Sequence, residues 1–264
     1  MKLWLGYALC MVGVCYGQAD PYGLPPIESG LAASSLTHSS EGSSGLPAPS
    51  KPETGSQAIL YHGVRPSSPA VRRSGLRYCG SWSRYTYSVD VGRIGWDQIQ
   101  SHRFRIGLSV PLVKHRIGAR WIVEQWFRTE TGTPWRTYPE IAIWSRFKSD
   151  WNYAVKVVNP TGVKWSETDQ KTEPWVQAEL RRTVIDKVEL HLGWRTFESE
   201  SQWSIGSSWQ LNDELLLVSG ISSGPLWFSF GSLWKHKALG IHLATQLNDH
   251  LGWEIAAGLS WRSD

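Results

Sequence analysis

From about residue 77 to residue 261 the chain alternates apolar and polar residues in stretch after stretch, with Trp, Phe and Tyr gathered near the stretch ends. One such stretch marks only a half-buried strand. About a dozen in succession, with almost no helical period between them, constrain the fold far more. Every strand then has an oily face and a wet face, and a closed sheet must put one of them inside. A soluble barrel or sandwich buries the oily face. A barrel set in lipid shows it outward and keeps the wet face within.

Reading by period two predicts strands at 85–96, 102–113, 115–127, 138–147, 152–159, 175–184, 187–197, 202–211, 214–222, 226–235, 239–247 and 252–261. In the second, Phe104, Ile106, Leu108, Val110 and Leu112 share a face, and Pro160 ends the fifth because it cannot donate to a ladder. The count is about 12, with ten to fourteen allowed by the softness of strand boundaries. Asn212-Asp213, Ile185-Asp186 and Asn248-Asp249-His250 read as tight turns on one side. The polar joints 129–137 and 160–174 read as the long loops of the other.

Glycine placement selects between the two barrels. Gly107, Gly118, Gly193, Gly206, Gly240 and Gly258 all fall on the polar face. Closing a sheet crowds side chains on its concave side, and a strand glycine is stabilising only where it relieves such a bend. The polar face is therefore expected inside, which gives an all-β, antiparallel transmembrane barrel. Its lumen candidates are Arg103, Arg105, Arg116, Arg120, Glu124, Arg146, Glu179, Arg181, Lys187, Glu189, His191, Arg195, His242 and Glu254. The mixed signs suit pairing across neighbouring strands and a filled or narrow interior; charges loosely solvated by lumen water are the other reading. The oily face carries Trp121, Trp194, Trp203, Trp209, Trp234, Trp253 and Trp261, which suit the headgroup level of an outer membrane.

The ends of the chain differ in character. Residues 1–19 read as an export signal, with Lys2, a short apolar run and a small-x-small pattern at Gly17-Gln18-Ala19. Residues 20–74 are rich in Ser, Pro and Gly and are expected to be a disordered arm, leaving 75–264 for the barrel. Of three cysteines only Cys79 lies beyond the signal, so no internal disulfide or cysteine metal cluster is expected. A net charge of +4 without basic runs gives no reason to expect nucleic acid. His191, His242 and many serines make a Ser/His/acid set conceivable. No nucleophile elbow, paired-histidine metal motif or phosphate loop accompanies them, so neither an enzyme nor a cofactor is expected.

Three stretches carry a resemblance. Trp151-Asn152-Tyr153-Ala154-Val155-Lys156-Val157-Val158-Asn159-Pro160, LNDELLLVSGISSGPLWFSF over 211–230, and the hairpin 240–261 with His250-Leu251-Gly252 at its joint are similar to the FadL/PorV-like outer-membrane barrels common in the Bacteroidota. The resemblance covers roughly the last 125 residues of the sequence and rests on turns and glycines. It implies outer-membrane location and a non-enzymatic role. Outer-membrane lipid and other envelope proteins would be its partners. Members serve as accessory subunits of secretion or assembly complexes, the expectation adopted here, or pass small and hydrophobic solutes, the alternative. Barrels of that group carry fourteen strands, two more than are legible in this sequence.

Overall fold

The computed structural model describes residues 56–263, apart from 67–71, 97–98, 129–132, 165, 167–172, 198–199, 224–225 and 249–251. The expected export signal and the first part of the expected arm, up to residue 55, lie outside the described residues.

The described residues form fourteen strands: β1 (Ser56–Val64), β2 (Arg72–Trp82), β3 (Tyr85–Trp96), β4 (Ile99–Leu112), β5 (His115–Arg128), β6 (Trp135–Lys148), β7 (Trp151–Val158), β8 (Trp175–Ile185), β9 (Val188–Phe197), β10 (Glu200–Gln210), β11 (Leu215–Ser222), β12 (Trp227–His236), β13 (Leu239–Asn248) and β14 (Gly252–Ser263). Each pairs antiparallel with its chain neighbours, and β1 pairs with β14 from Ser56↔Ser263 to Val64↔Ile255, so the sheet closes on itself. Closure leaves no row of unpaired backbone groups.

The expectation of about 12 strands is corrected to fourteen. The additional two are β1 and β2, and β1 lies wholly inside the stretch read as disordered arm. Its pattern hid it. Ile59 and Tyr61 point to the same buried side as Gln57, while His62 faces out with Leu60, so neither face is cleanly oily or wet. The run of Ser, Pro and Gly before it then dominated the composition.

Short turns cluster at one end. Ser83 (φ 57), Val113 (φ 52), Lys187 (φ 71) and Lys237 (φ 53) take left-handed conformations there, as tight hairpins require. Strand order places Asn212-Asp213 and Ile185-Asp186 at this end. It places the joint between β13 and β14 at the other, so the assignment of 248–250 to the short-turn side is corrected. Polar spacing alone finds a turn; its end depends on how many strands precede it. With fourteen strands, the start of β1 and the end of β14 both sit at the short-turn end.

The seam between first and last strand has its own fastening. Arg73 on β2 reaches over β1 to Glu254 on β14, Nε to Oε1 at 2.8 Å, an ion contact without hydrogen-bond alignment. It can cross because Gly63, its register partner, has no side chain; a Cβ there would lie 2.9 Å from Arg73 Cγ. A Gly63→Val variant is therefore expected to loosen the seam, costing about 1–3 kcal/mol as an overpacked site does. Urea unfolding followed by the heat-modifiable gel shift measures it, and an unchanged midpoint counts against the fastening.

Candidate functional site: the barrel interior

Alternate residues of each strand are buried while their neighbours are exposed and mostly apolar, so the buried set lines the inside. Gly107, Gly118, Gly193, Gly206, Gly240 and Gly258 are all on that inner face. Arg105 on β4 is buried there. So are Arg116, Arg120 and Glu124 on β5, Glu179 and Arg181 on β8, His191 and Arg195 on β9, His242 on β13 and Glu254 on β14. Arg103 and Glu189 are partly covered and share the faces of Arg105 and His191. Arg146 and Lys187 are exposed instead. A register shift between Arg146 and Lys148 breaks the alternation just before the turn, and Arg146 bonds the backbone oxygens of Lys148 (3.3 Å) and Ser149. Lys187 stands in a turn.

The inner charges are organised by register. Residues opposite each other on antiparallel strands point to the same side with Cβ atoms about 5 Å apart. Arg77, Asp90 and Arg105 are consecutive register partners on β2, β3 and β4. The Arg77 Nε donates to Asp90 at 2.9 Å, and Arg105 stands 3.8 Å from the other carboxylate oxygen. Arg103, Glu124 and Arg136 repeat the arrangement on β4, β5 and β6. Arg103 donates at 2.9 Å, and Arg136 donates twice, at 2.9 and 2.7 Å; Ser101 (3.1 Å) and the Tyr138 hydroxyl (3.3 Å) complete the ring around that carboxylate. Glu140 lies between Arg120 (3.3 Å) and Lys156 (3.9 Å), and Glu254 between Arg73 (2.8 Å) and Arg65 (3.7 Å). Each of these carboxylates is thus flanked by two cations.

Arg73, Arg77, Asp90, Arg136, Tyr138, Glu140 and Lys156 take part in these groupings although the sequence reading did not single them out. The alternation marked several of their strands. Placing them opposite their partners needs the register, which comes only with the paired sheet.

The opposite wall is nearly uncharged. Val218, Gly231, Ala244, Ala256 and Gly63 are successive register partners across β11, β12, β13, β14 and β1. Leu216 and Leu233 pack with Val218 beside that row, and Ile59 and Tyr61 extend it on β1. The interior is two-walled, charged from β2 to β9 and mainly small or apolar from β11 to β1.

Two histidines could suggest chemistry. His191 bonds Glu179 through Nδ1 at 3.1 Å, and its Nε2 faces Ser208 Oγ at 3.4 Å. A nucleophilic serine must point its proton at the imidazole. Here the Ser208 hydroxyl donates to Glu189 at 3.3 Å, and Ser208, His191 and Glu179 are all buried. The set reads as a cross-link of β8, β9 and β10. His242 bonds Ser260 at 2.8 Å through Nε2, next to apolar Leu233. No cluster of His, Cys, Asp and Glu among the described residues could hold a metal ion. Cys79 is buried on the inner face of β2 and is not in a disulfide.

Outside, the tryptophans fall into two groups. Trp209, Trp234 and Trp261 lie toward the short-turn end, while Trp194, Trp203 and Trp253 lie toward the loop end. All but Trp194, whose ring meets that of Trp203 at 6.2 Å, are about half exposed. Trp121 sits mid-strand on β5.

No protein-family model and no curated protein matches this chain. Solved structures share its fold. CymD, a monoaromatic hydrocarbon channel, superposes with a TM-score of 0.71 at 8% identity, covering 92% of this chain and 97% of that one. The toluene transporter TbuX of Ralstonia pickettii gives 0.65 at 8%, covering 91% and 98%. The toluene transporter TodX of Pseudomonas putida gives 0.64 at 11%, covering 88% and 97%. At such identities the likeness shows a shared closed-barrel fold.

Replacing Glu124 by Ala is expected to leave the charges of Arg103 and Arg136 without the carboxylate between them. Removing one partner of a buried pair costs about 3–5 kcal/mol. Equilibrium unfolding of the refolded barrel in detergent measures it; a loss below about 1 kcal/mol, the range of exposed pairs, would show that water already screens this group.

Proposed function

We propose that this chain is a bacterial outer-membrane barrel that passes small hydrophobic solutes, a transporter or channel of the FadL-like kind and not an enzyme. The observation that carries the reading is the distribution of apolar surface. Phe104, Ile106, Leu108, Ile117, Trp121, Leu190, Leu192, Phe228, Phe230, Ile255 and Leu259 stand exposed around the outer face, which in water would be an aggregation hazard and in lipid is the required coat. On β14 the coat runs from Trp253 to Trp261, about 27 Å along a strand. Tilted by about 40°, that is roughly 20 Å of height, close to the apolar band of such barrels.

The inner apolar wall supplies the second support. A solute with no charge gains nothing from paired arginines, but it can follow Val218, Gly231, Ala244 and Ala256. The solved proteins of the same fold are described as hydrocarbon channels and toluene transporters. These features favour passage over an accessory role in an envelope secretion or assembly complex. An accessory subunit would depend on partner contacts, and the outer face is accounted for by lipid. Export by a signal at 1–19 belongs to the same proposal.

The test is uptake of toluene by cells whose lipopolysaccharide leaflet blocks it. Expression of this chain is expected to raise the initial rate several-fold, and Ala244→Trp, which fills the apolar wall, to return it to background. A rate equal to the empty-vector control, together with stoichiometric co-purification of another envelope protein, would instead establish the accessory role.

A further inference from the structure

One buried cation of the charged wall does not follow the pattern of its neighbours. Arg116 on β5, close to the short-turn end, is 7% exposed. Its Nη1 donates to the Thr86 and Ser109 hydroxyls, both at 3.1 Å, and those two hydroxyls bond each other at 2.5 Å. No carboxylate meets Arg116 among the described residues, whereas Asp90, Glu124, Glu140 and Glu254 are each shared by two other cations. A guanidinium has five N–H donors and no acceptor. The two bonds from Nη1 leave the Nε and Nη2 donors without a protein acceptor among the described residues.

The register partner of Arg116 is Trp144 on β6. Its indole packs on Ala142 and Ala154 of the inner face, and its Nε1 is buried with no hydrogen-bond partner. A buried donor left unmatched costs about 1–3 kcal/mol. Unmatched donors from two adjacent strands therefore face the same part of the lumen, and neither meets a protein acceptor among the described residues. Gly118, inward between Ser109 and Ala142, adds no side chain above them. Hydrogen-bond donors without acceptors, around a fixed positive charge and beside an apolar surface, match an oxyanion carried on an apolar body.

We propose that Arg116 and Trp144 form an oxyanion-binding site at the short-turn end of the lumen, with Thr86 and Ser109 fixing the orientation of the guanidinium. The fork of Arg116 suits a carboxylate or phosphate oxygen pair, and Trp144 with Ala142 and Ala154 receives the apolar part. The site deepens the passage reading and rests on it for its biological meaning, since it would hold an anionic solute at the end of the path. Its existence as a binding site does not require passage.

Benzoate is the probe, with benzyl alcohol as its uncharged counterpart, titrated calorimetrically into the full-length refolded barrel in neutral detergent. Wild type is expected to bind benzoate more tightly than benzyl alcohol. Arg116→Met should weaken benzoate by about tenfold or more, as loss of charged hydrogen bonds does. Trp144→Phe, which keeps an aromatic ring and deletes only the N–H donor, should weaken it by about threefold to tenfold. Benzyl alcohol affinity should move by less than about twofold in both. Heat-modifiable mobility confirms the fold of each variant, and Trp144→Phe carries the test alone if Arg116→Met does not refold. Inorganic phosphate that displaces benzoate assigns the site to oxyanions in general; phosphate that fails to do so assigns it to carboxylates. Wild type that does not bind benzoate, or variants that bind it as wild type does, would overturn the site. Toluene uptake with no benzoate binding removes the site and leaves the passage reading; benzoate binding that depends on Arg116 with no toluene uptake does the reverse.

Discussion

Charge kept inside an oil-coated cylinder is costly unless it is neutralised within bonding distance. Stranding one ion in a medium of low dielectric costs several kcal/mol even after relaxation. This barrel meets most of that demand by standing a carboxylate between two cations, from neighbouring strands at Asp90, Glu124 and Glu140 and from across the closing seam at Glu254. The antiparallel register supplies the spacing, because opposite residues share a face at about 5 Å. Alternation along the strand then dictates that the residues between the charged ones point outward, where an oily side chain is wanted. Interior pairing and exterior coat are two results of one backbone period.

The two walls follow from where the pairing is used. From β2 to β9 the inner face is tied by ion pairs and by the His191 cross-link, which favour a fixed shape. From β11 to β1 a row of Val218, Gly231, Ala244, Ala256 and Gly63, flanked by Leu216 and Leu233, gives the inner face an uncharged strip that in the proposed passage asks little of a solute. On the proposed reading, the ion-paired side holds the bore while an uncharged guest follows the uncharged strip on the other.

Much of this was legible in the sequence. The twelve strands from β3 to β14 show themselves because their faces differ sharply, and the inner face can be told from the outer by the glycines that share it with the charges. β1 escaped because Ile59 and Tyr61 are apolar yet buried inside, while His62 is polar yet exposed. A pattern that reads oil against water cannot see a strand whose inner face is itself oily. Arg146 was misplaced by one irregular step of register. The carboxylate groupings were invisible for a different reason. They join residues on separate strands, and sequence period reports which face a side chain takes but not whom it meets. The donors of Arg116 and Trp144 belong to that same class of information.

The Arg73 side chain lying across Gly63 to Glu254 has a consequence for how this molecule forms. It ties the second strand to the fourteenth, so that contact, like the whole first-to-last ladder, has no partner until the end of the chain arrives. Local hairpins can form early, but the ring itself is a contact of very high sequence separation and carries the full entropic cost of loop closure. Until then both terminal strands offer bare edges, which makes the period before closure the interval in which this chain is most open to mispairing with its neighbours.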